Sequence, residues 1–296
     1  MKIIDQALER IKRGREGLNK GLPMGFNRLV EYLPNIQQAT YYLLGGSAKV
    51  GKSGLAADMF VFNPYEYVVN HPGEFELDID YYSFEIEKVS LMVKAIARRL
   101  YYKYGIKTDV NELLQRGNKH CSDGLWKAAN ECRDYYAAME DMVHIHDIPF
   151  NPTGINKYLW AKAAQHGTVV KKPIEIIDEE GLPIRTIQVF DRYIPNNPNR
   201  YHIVILDHIG LMHLENGNSI KQNLDKMSQY FVSLRNNFNI IPVVVQQLGF
   251  DLTGTDRIRS ASSQPTLHDF SDSKYLSRDK GYRKAIKYRL YFRFRS

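Results

Sequence analysis

Short apolar runs alternate along this chain with longer segments that are apolar on one face only. The runs cover residues 40–44, 80–84, 143–146, 202–206 and 240–245. Each run is short enough to be a strand that is buried on both faces of a sheet. The segments between them predict helices over 55–62, 90–104, 124–142, 155–166 and 219–236. This alternation predicts an α/β fold with a mostly parallel central sheet flanked by helices.

Two segments depart from the alternation. Near the start, Ile4, Leu8 and Ile11 fall on one face of a predicted amphipathic helix. Residues 169–193 hold two β-rich runs around a polar turn, a pattern typical of an inserted β-hairpin. We therefore expect a linker-like helix over 1–20, one large domain over 21–273 that contains the hairpin, and a separate tail over 274–296.

Composition and charge narrow the class of protein. With 44% hydrophobic and 25% charged residues, the chain has the composition of a folded protein. It has no apolar run of about 18 residues and no secretory signal, which predicts a cytoplasmic protein without membrane contact. The net charge of +7 belongs to the tail, which carries nine of the 40 Lys and Arg but one of the 33 acids. The remaining 31 basic and 32 acidic residues nearly cancel, so the body is close to neutral.

A glycine-rich motif follows the strand predicted over 40–44. It satisfies the pattern G-x-x-x-x-G-K-[ST] and reads Gly46, Ser47, Ala48, Lys49, Val50, Gly51, Lys52 and Ser53. Between a strand and a helix, the backbone N–H groups of such a loop surround phosphate oxygens, and the helix N-terminus favours their negative charge. We expect Lys52 to reach the β- and γ-phosphates, Ser53 to hold Mg²⁺, and Gly54 to complete the nucleotide-binding loop.

Polar residues end three other predicted strands. Asp207 closes the strand over 202–206, and a parallel sheet brings it to the same edge as the phosphate loop, where it is a candidate Mg²⁺-holding acid. Glu85 is a candidate general base, with Glu87 as its competitor two residues further on. A glutamine after the strand over 240–245 is suited to sense the γ-phosphate. Helix caps and solvated surface acids remain the ordinary alternatives.

Six segments, in order over residues 21–278, resemble the RecA-like motor domain of DnaB-type hexameric replicative helicases. They are 21–26, 46–53, 83–86, 204–211, 245–248 and 265–273. Ser83-Phe84-Glu85-Ile86 is similar to the family's S-L-E-M segment, which assigns the catalytic base to Glu85. Residues 245–248 resemble the family's S-Q-L sensor and assign phosphate sensing to Gln247. The resemblance implies a RecA-like P-loop NTPase core that uses ATP and Mg²⁺ over residues 21–273.

The resemblance also implies partners. The family threads single-stranded DNA through a ring, and here the second DNA-facing loop corresponds to residues 249–264. Thr253, Arg257 and Arg259 in this loop are the candidate DNA contacts, because flexible, cationic loops follow a phosphate backbone. A solvated surface loop is the alternative. The implied assembly is a homo-oligomeric ring, by resemblance of six subunits, that acts in DNA replication, with a bacteriophage or bacterial host cytoplasm as its natural setting.

Two departures from the family affect these expectations. The family's N-terminal domain is replaced by the helix over 1–20, which resembles the linker that docks on a neighbouring subunit and gives little support for a primase contact. After about residue 278 the family's K-x-R-x-G segment, which supplies an arginine finger, is not found; a truncated or frame-shifted end, a native strand and a nucleic-acid arm are the alternatives for the tail. Loss of the finger would impair turnover, so a RecA- or KaiC-like ATP-switched binding protein and a non-enzymatic ring component are the rival functions.

Overall fold

A central parallel sheet organises the molecule. The computed structural model of the chain describes residues 3–46, 49–148, 150–178, 182–247 and 288–291. The sheet has six strands in the order β3-β2-β6-β7-β1-β8, and β4 and β5 pair separately as an antiparallel hairpin. The strands are β1 Tyr42–Gly46, β2 Glu76–Ser83, β3 Val143–His146, β4 Gly167–Ile177, β5 Pro183–Pro195, β6 Arg200–Asp207, β7 Ile241–Gln247 and β8 Tyr288–Tyr291. The predicted α/β fold with an inserted hairpin is therefore confirmed.

Helices occupy the connections between the strands. They are α1 Ile3–Arg15, α2 Asn27–Val30, α3 Lys52–Ala57, α4 Asn63–Asn70, α5 Lys88–Tyr104, α6 Val110–Leu113, α7 Asp123–Asn130, α8 Arg133–Glu140, α9 Pro152–Gln165 and α10 Ile220–Phe238. A π-helical turn, Asp58–Phe62, joins α3 to α4, and a 3₁₀ turn, Ile209–Leu211, follows β6. No helix in the described part of the chain is both long enough and apolar enough to cross a membrane.

Alternate side chains of the strands pack into two hydrophobic cores, one on each face of the sheet. In β2, Ile79 and Tyr81 point into the core beneath α3, α4, α5, α7 and α8, whereas Tyr82 points into the core beneath α9 and α10. In β6, Ile205 and Leu206 divide in the same way. This period-two division is what a sheet covered on both faces requires.

The helix predicted over 124–142 is wrong as a single element, because the structure divides it into α7 and α8. Between them the Cys132 amide bonds to the carbonyl of Ala129, three residues back, at 3.1 Å. Such a tightened turn ends the α-helical hydrogen bonding. The apolar pattern continues through it, since Leu125, Cys132 and Tyr136 are all buried, so periodicity alone did not reveal the break.

The hairpin is attached to the domain by aromatic side chains. Trp160 of α9 and Phe238 of α10 make an edge-to-face contact with ring centroids 4.5 Å apart. Phe190 and Tyr193 of β5 pack onto Phe238 at 5.6 and 5.2 Å. The Tyr193 hydroxyl also donates to the Ala163 carbonyl at 3.0 Å. These contacts fix the base of the hairpin against the layer formed by α9 and α10.

Candidate active site

The glycine-rich loop lies where β1 passes into α3. Gly51, which precedes the helix, has φ of +82°, a conformation that glycine adopts without strain. A Cβ on Gly46 would lie 3.2 Å from Cγ of Lys52, so the absence of a side chain there lets Lys52 cross the strand end closely. Ser47 and Ala48 lie outside the described residues. The predicted strand–loop–helix arrangement is present, with its lysine and serine in the first turn of α3.

Lys52 is held among carboxylates in a partly buried position. Burial lowers the pKa of Lys52, while the negative charges of Asp207 and Glu85 act in the opposite direction. The three side chains therefore share one electrostatic environment. The sequence predicted this grouping, because Asp207 and Glu85 both follow strands that end at the edge where β1 meets the loop.

Asp207 ends β6 and is buried, with 3% of its surface exposed. One carboxylate oxygen, Oδ2, accepts a hydrogen bond from the Tyr81 hydroxyl at 2.9 Å, and the carboxylate also accepts one from Ser53. Burial raises the pKa of Asp207, and the two hydrogen bonds oppose the rise. Loss of hydration makes the ionised form costly unless a cation compensates it.

The oxygen atoms of Ser53 and Asp207 are suitable ligands for a magnesium ion. Mg²⁺ takes hard oxygen ligands, commonly one or two from the protein together with substrate phosphates. The Ser53 hydroxyl and the Asp207 carboxylate supply oxygens at one point beside the loop, and the buried acid lacks full compensation of its charge. The residues present therefore fit a Mg²⁺–nucleotide site.

Glu85 and Glu87 are separated by the structure. Glu85 lies in the bend after β2, is exposed, and acts electrostatically on both Lys52 and Asp207. Glu87 immediately precedes α5, where its carboxylate accepts a hydrogen bond from Ser90 at 3.3 Å. This placement favours Glu85 over Glu87 as the acid beside the loop.

Gln247 is placed beside the loop by strand register. It ends β7 and pairs with Gly46 of the adjacent β1. Its side chain is partly exposed at the same edge as Asp207. Thr253, Arg257 and Arg259, the candidate DNA contacts, lie outside the described residues.

A second cluster of charge, which the sequence did not predict, lies lower in the sheet under α9. Lys162 donates to Oδ1 of Asp78 at 2.6 Å and to Oδ2 of Asp80 at 2.8 Å. His202 also bonds to Asp80, with its Nε2 2.7 Å from Oδ2. Asp78, Asp80 and His202 have the composition of a metal site, but the Lys162 ammonium already bridges the two carboxylates. The cluster is therefore an internal ion network.

Comparison with known proteins supports the fold. A solved structure described as an ATPase domain matches with a TM-score of 0.63 at 14% identity, over 99% of this chain and 84% of that chain. A DnaB-like replicative helicase, described with its interactions with primase, matches with a TM-score of 0.66 at 13% identity, over 99% of this chain and 57% of that one. This chain thus spans little more than half of the helicase. No protein-family model and no curated protein matches the sequence.

The likeness establishes the architecture of the chain. It has the fold of the ATPase domains of DnaB-like helicases, a RecA-like P-loop core, as the six sequence segments imply. The glycine-rich loop, Asp207, Glu85 and Gln247 lie at the carboxyl ends of neighbouring strands, the edge at which parallel α/β folds bind ligands.

Proposed function

We propose that the chain is an ATP-driven DNA translocase, the motor of a DnaB-like replicative helicase. The observation that carries the proposal is the shared electrostatic environment of Lys52, Asp207 and Glu85 beside the loop of residues 46–53. A cation for phosphate, a buried acid for a metal and an exposed acid for water are the parts that a P-loop ATPase requires.

Each residue has a distinct part in the proposed reaction. The loop amides and Lys52 bind and orient the triphosphate, and Ser53 and Asp207 hold the magnesium ion, which neutralises phosphate charge when it is bound. Glu85 accepts a proton from the attacking water, a contribution of about 10²- to 10⁴-fold to the rate. Gln247 reports the presence of the γ-phosphate through its amide and connects β7 to the following loop.

The DNA and ring contacts form the second part of the proposal. Arg257 and Arg259, with Thr253, would bind the phosphate backbone of single-stranded DNA. The helix α1 supports assembly into a ring, a hexamer by analogy with DnaB, because its apolar side chains Ile4, Leu8 and Ile11 are 59%, 56% and 60% exposed. Unpartnered apolar faces of this kind mark interaction surfaces.

The expected rate of ATP hydrolysis depends on an arginine finger, a cationic residue that one subunit supplies to the ATP of its neighbour. Such a residue is worth about 10³- to 10⁵-fold in turnover, so the basal rate of hydrolysis depends on whether a subunit of the ring supplies the cation to its neighbour. A slow ATPase that still responds to DNA agrees with the proposed motor.

Two assays on the full chain test the proposal. ATP turnover at micromolar protein is measured with and without single-stranded DNA, and release of a labelled strand is measured on a forked duplex. The motor predicts turnover that DNA stimulates and ATP-dependent strand release. DNA-dependent turnover without release identifies a RecA- or KaiC-like ATP-switched binding protein, and absence of turnover identifies a non-enzymatic ring component; both results contradict the helicase.

A further inference from the structure

We propose that Tyr81 is a positioning residue that holds the Asp207 carboxylate in place for the magnesium–nucleotide site. The inference rests on the proposed function, since it takes Asp207 to act at a site for Mg²⁺ and ATP. Tyr81 belongs to none of the six segments that carry the family resemblance.

Strand register brings the two residues together. Tyr81 of β2 pairs with Ile205 of β6, and Asp207 follows two residues later on the same strand. Because side chains alternate along a strand, Tyr81 and Asp207 project from the same face of the sheet. The tyrosine ring is long enough to span this offset, and its hydroxyl donates to Oδ2 of Asp207 at 2.9 Å.

The contact is sealed from solvent. Tyr81 and Asp207 are each 3% exposed. A buried tyrosine hydroxyl requires a partner, and a buried carboxylate requires donors to remain ionised. The hydrogen bond between the two side chains meets both requirements.

The two residues that donate hydrogen bonds to Asp207, Ser53 and Tyr81, belong to different parts of the fold. Ser53 belongs to the phosphate loop and is itself a candidate Mg²⁺ ligand. Tyr81 lies in the apolar core below the loop, among residues that also line a cavity of about 230 Å³ between α3 and α5. The Tyr81 hydroxyl therefore provides a support that comes from the sheet and is separate from the phosphate loop.

A support of this kind has a measurable signature. Mutation of a residue that orients a metal-binding side chain typically lowers metal affinity or activity by about 10- to 100-fold. A tyrosine buried only for packing would instead change the stability of the fold without changing the dependence on Mg²⁺. The ratio of nucleotide affinities with and without the metal separates the two roles.

The test is a titration of the full chain with a fluorescent ATP analogue, in Mg²⁺ and in EDTA. Tyr81→Phe keeps the ring and loses the hydroxyl, and Tyr81→Met, which is apolar and also lacks the hydroxyl, is a second variant should the first fold poorly. Tyr136→Phe is the matched control, since it loses a buried hydroxyl bond to the Ala95 carbonyl at 2.6 Å, away from the loop. We expect Tyr81→Phe to weaken binding in Mg²⁺ by about 10- to 100-fold, to leave binding in EDTA near the wild-type value, and the control to change neither.

A double-mutant cycle shows whether Tyr81 acts through Asp207. In an Asp207→Asn background, Tyr81→Phe is expected to produce no further change in Mg²⁺ dependence, because the carboxylate that it positions has gone. An unchanged Mg²⁺ dependence in Tyr81→Phe, an equal loss in Mg²⁺ and EDTA, or additive effects in the cycle would overturn the inference while leaving the proposed function intact. A wild-type chain that binds no nucleotide in Mg²⁺ contradicts the proposed function, and this inference with it.

Discussion

Lys52 and Asp207 are both pushed toward their neutral forms by burial. The pKa of the lysine is lowered and that of the aspartate is raised, each for lack of hydration. A bound triphosphate would favour the charged lysine, and a bound Mg²⁺ would favour the ionised aspartate. Binding of the proposed nucleotide and metal together would therefore offset the cost of burying these two charged groups.

Glu85 is predicted to be the general base that activates water. Glu85→Gln keeps the shape of the side chain but cannot accept a proton, so turnover should fall by about 10²- to 10⁴-fold while ATP affinity is retained. Steady-state phosphate release and nucleotide titration measure the two quantities. Glu87→Gln is the matched control, because Glu87 bonds to Ser90 at the start of α5. Equal losses in both variants, or a larger loss in Glu87→Gln, would remove Glu85 from the role of base.

An ion network joins β2, β6 and α9. Lys162 and Arg200 neutralise Asp78 and Asp80, whose carboxylates lie in the interior of the sheet. Burial by itself would raise the pKa of Asp80, but hydrogen bonds from His146 and His202 and the charge of Lys162 bring it well below its usual range. The network therefore ties α9 to the strands that carry Asp207 and precede Glu85.

Substitution of Lys162 should lower the free energy of unfolding, because the buried acids lose their cation. Lys162→Met leaves Asp78 and Asp80 without their bridging cation, and breaking a buried ion pair typically costs about 3–5 kcal/mol. Denaturant unfolding at neutral pH measures the loss. The exposed Lys157→Met on the same helix is the control and should stay within about 0.5 kcal/mol of wild type.

The pH dependence of that loss has a defined sign. A carboxylate whose pKa is lowered on folding contributes stability above its unfolded pKa of 3.8 and loses that contribution as the pH falls below it. In Lys162→Met the same acids become easier to protonate. The difference between variant and wild type should therefore be largest at neutral pH and shrink on acidification, whereas a constant difference would mean that the lysine stabilises by packing alone.

The same network explains where the sequence misplaced strand boundaries. Apolar runs predicted strands from residues 80 and 202, but β2 begins at Glu76 and β6 at Arg200. Asp78 breaks the apolar pattern near the start of β2, and Lys162, the cation that pairs with this buried acid, is 84 residues away along the chain. Local periodicity carries no information about such a partner.

Much of the site, in contrast, follows from local sequence. The glycine-lysine motif, with its flanking strand and helix, predicted the position of Lys52 and Ser53. Because the carboxyl ends of parallel strands lie at one edge of a sheet, the sequence also predicted that Asp207 lies near them. Tyr81 was missed because its partner is 126 residues away and an apolar strand gives no reason to single out one tyrosine.

The two ends of the described chain differ in their packing. The strand β8 pairs in parallel with β1 and places Arg289 in register with Leu43, so part of the basic tail extends the sheet beside the strand that leads into the phosphate loop. The helix α1 exposes its apolar face, although an amphipathic helix is expected to bury that face. We propose that a neighbouring subunit covers it in the assembled ring.

We propose that the loop of residues 46–53 binds the triphosphate of ATP at the edge of the sheet. Isothermal titration calorimetry with Mg²⁺ and ATP tests it on the wild type, on Lys52→Ala and on the exposed control Lys127→Ala. A charge-assisted hydrogen bond contributes about 1.5–3 kcal/mol, so Lys52→Ala should bind at least about 10-fold more weakly while the control binds as the wild type does. No binding by the wild type, or the same affinity in Lys52→Ala, would contradict the claim.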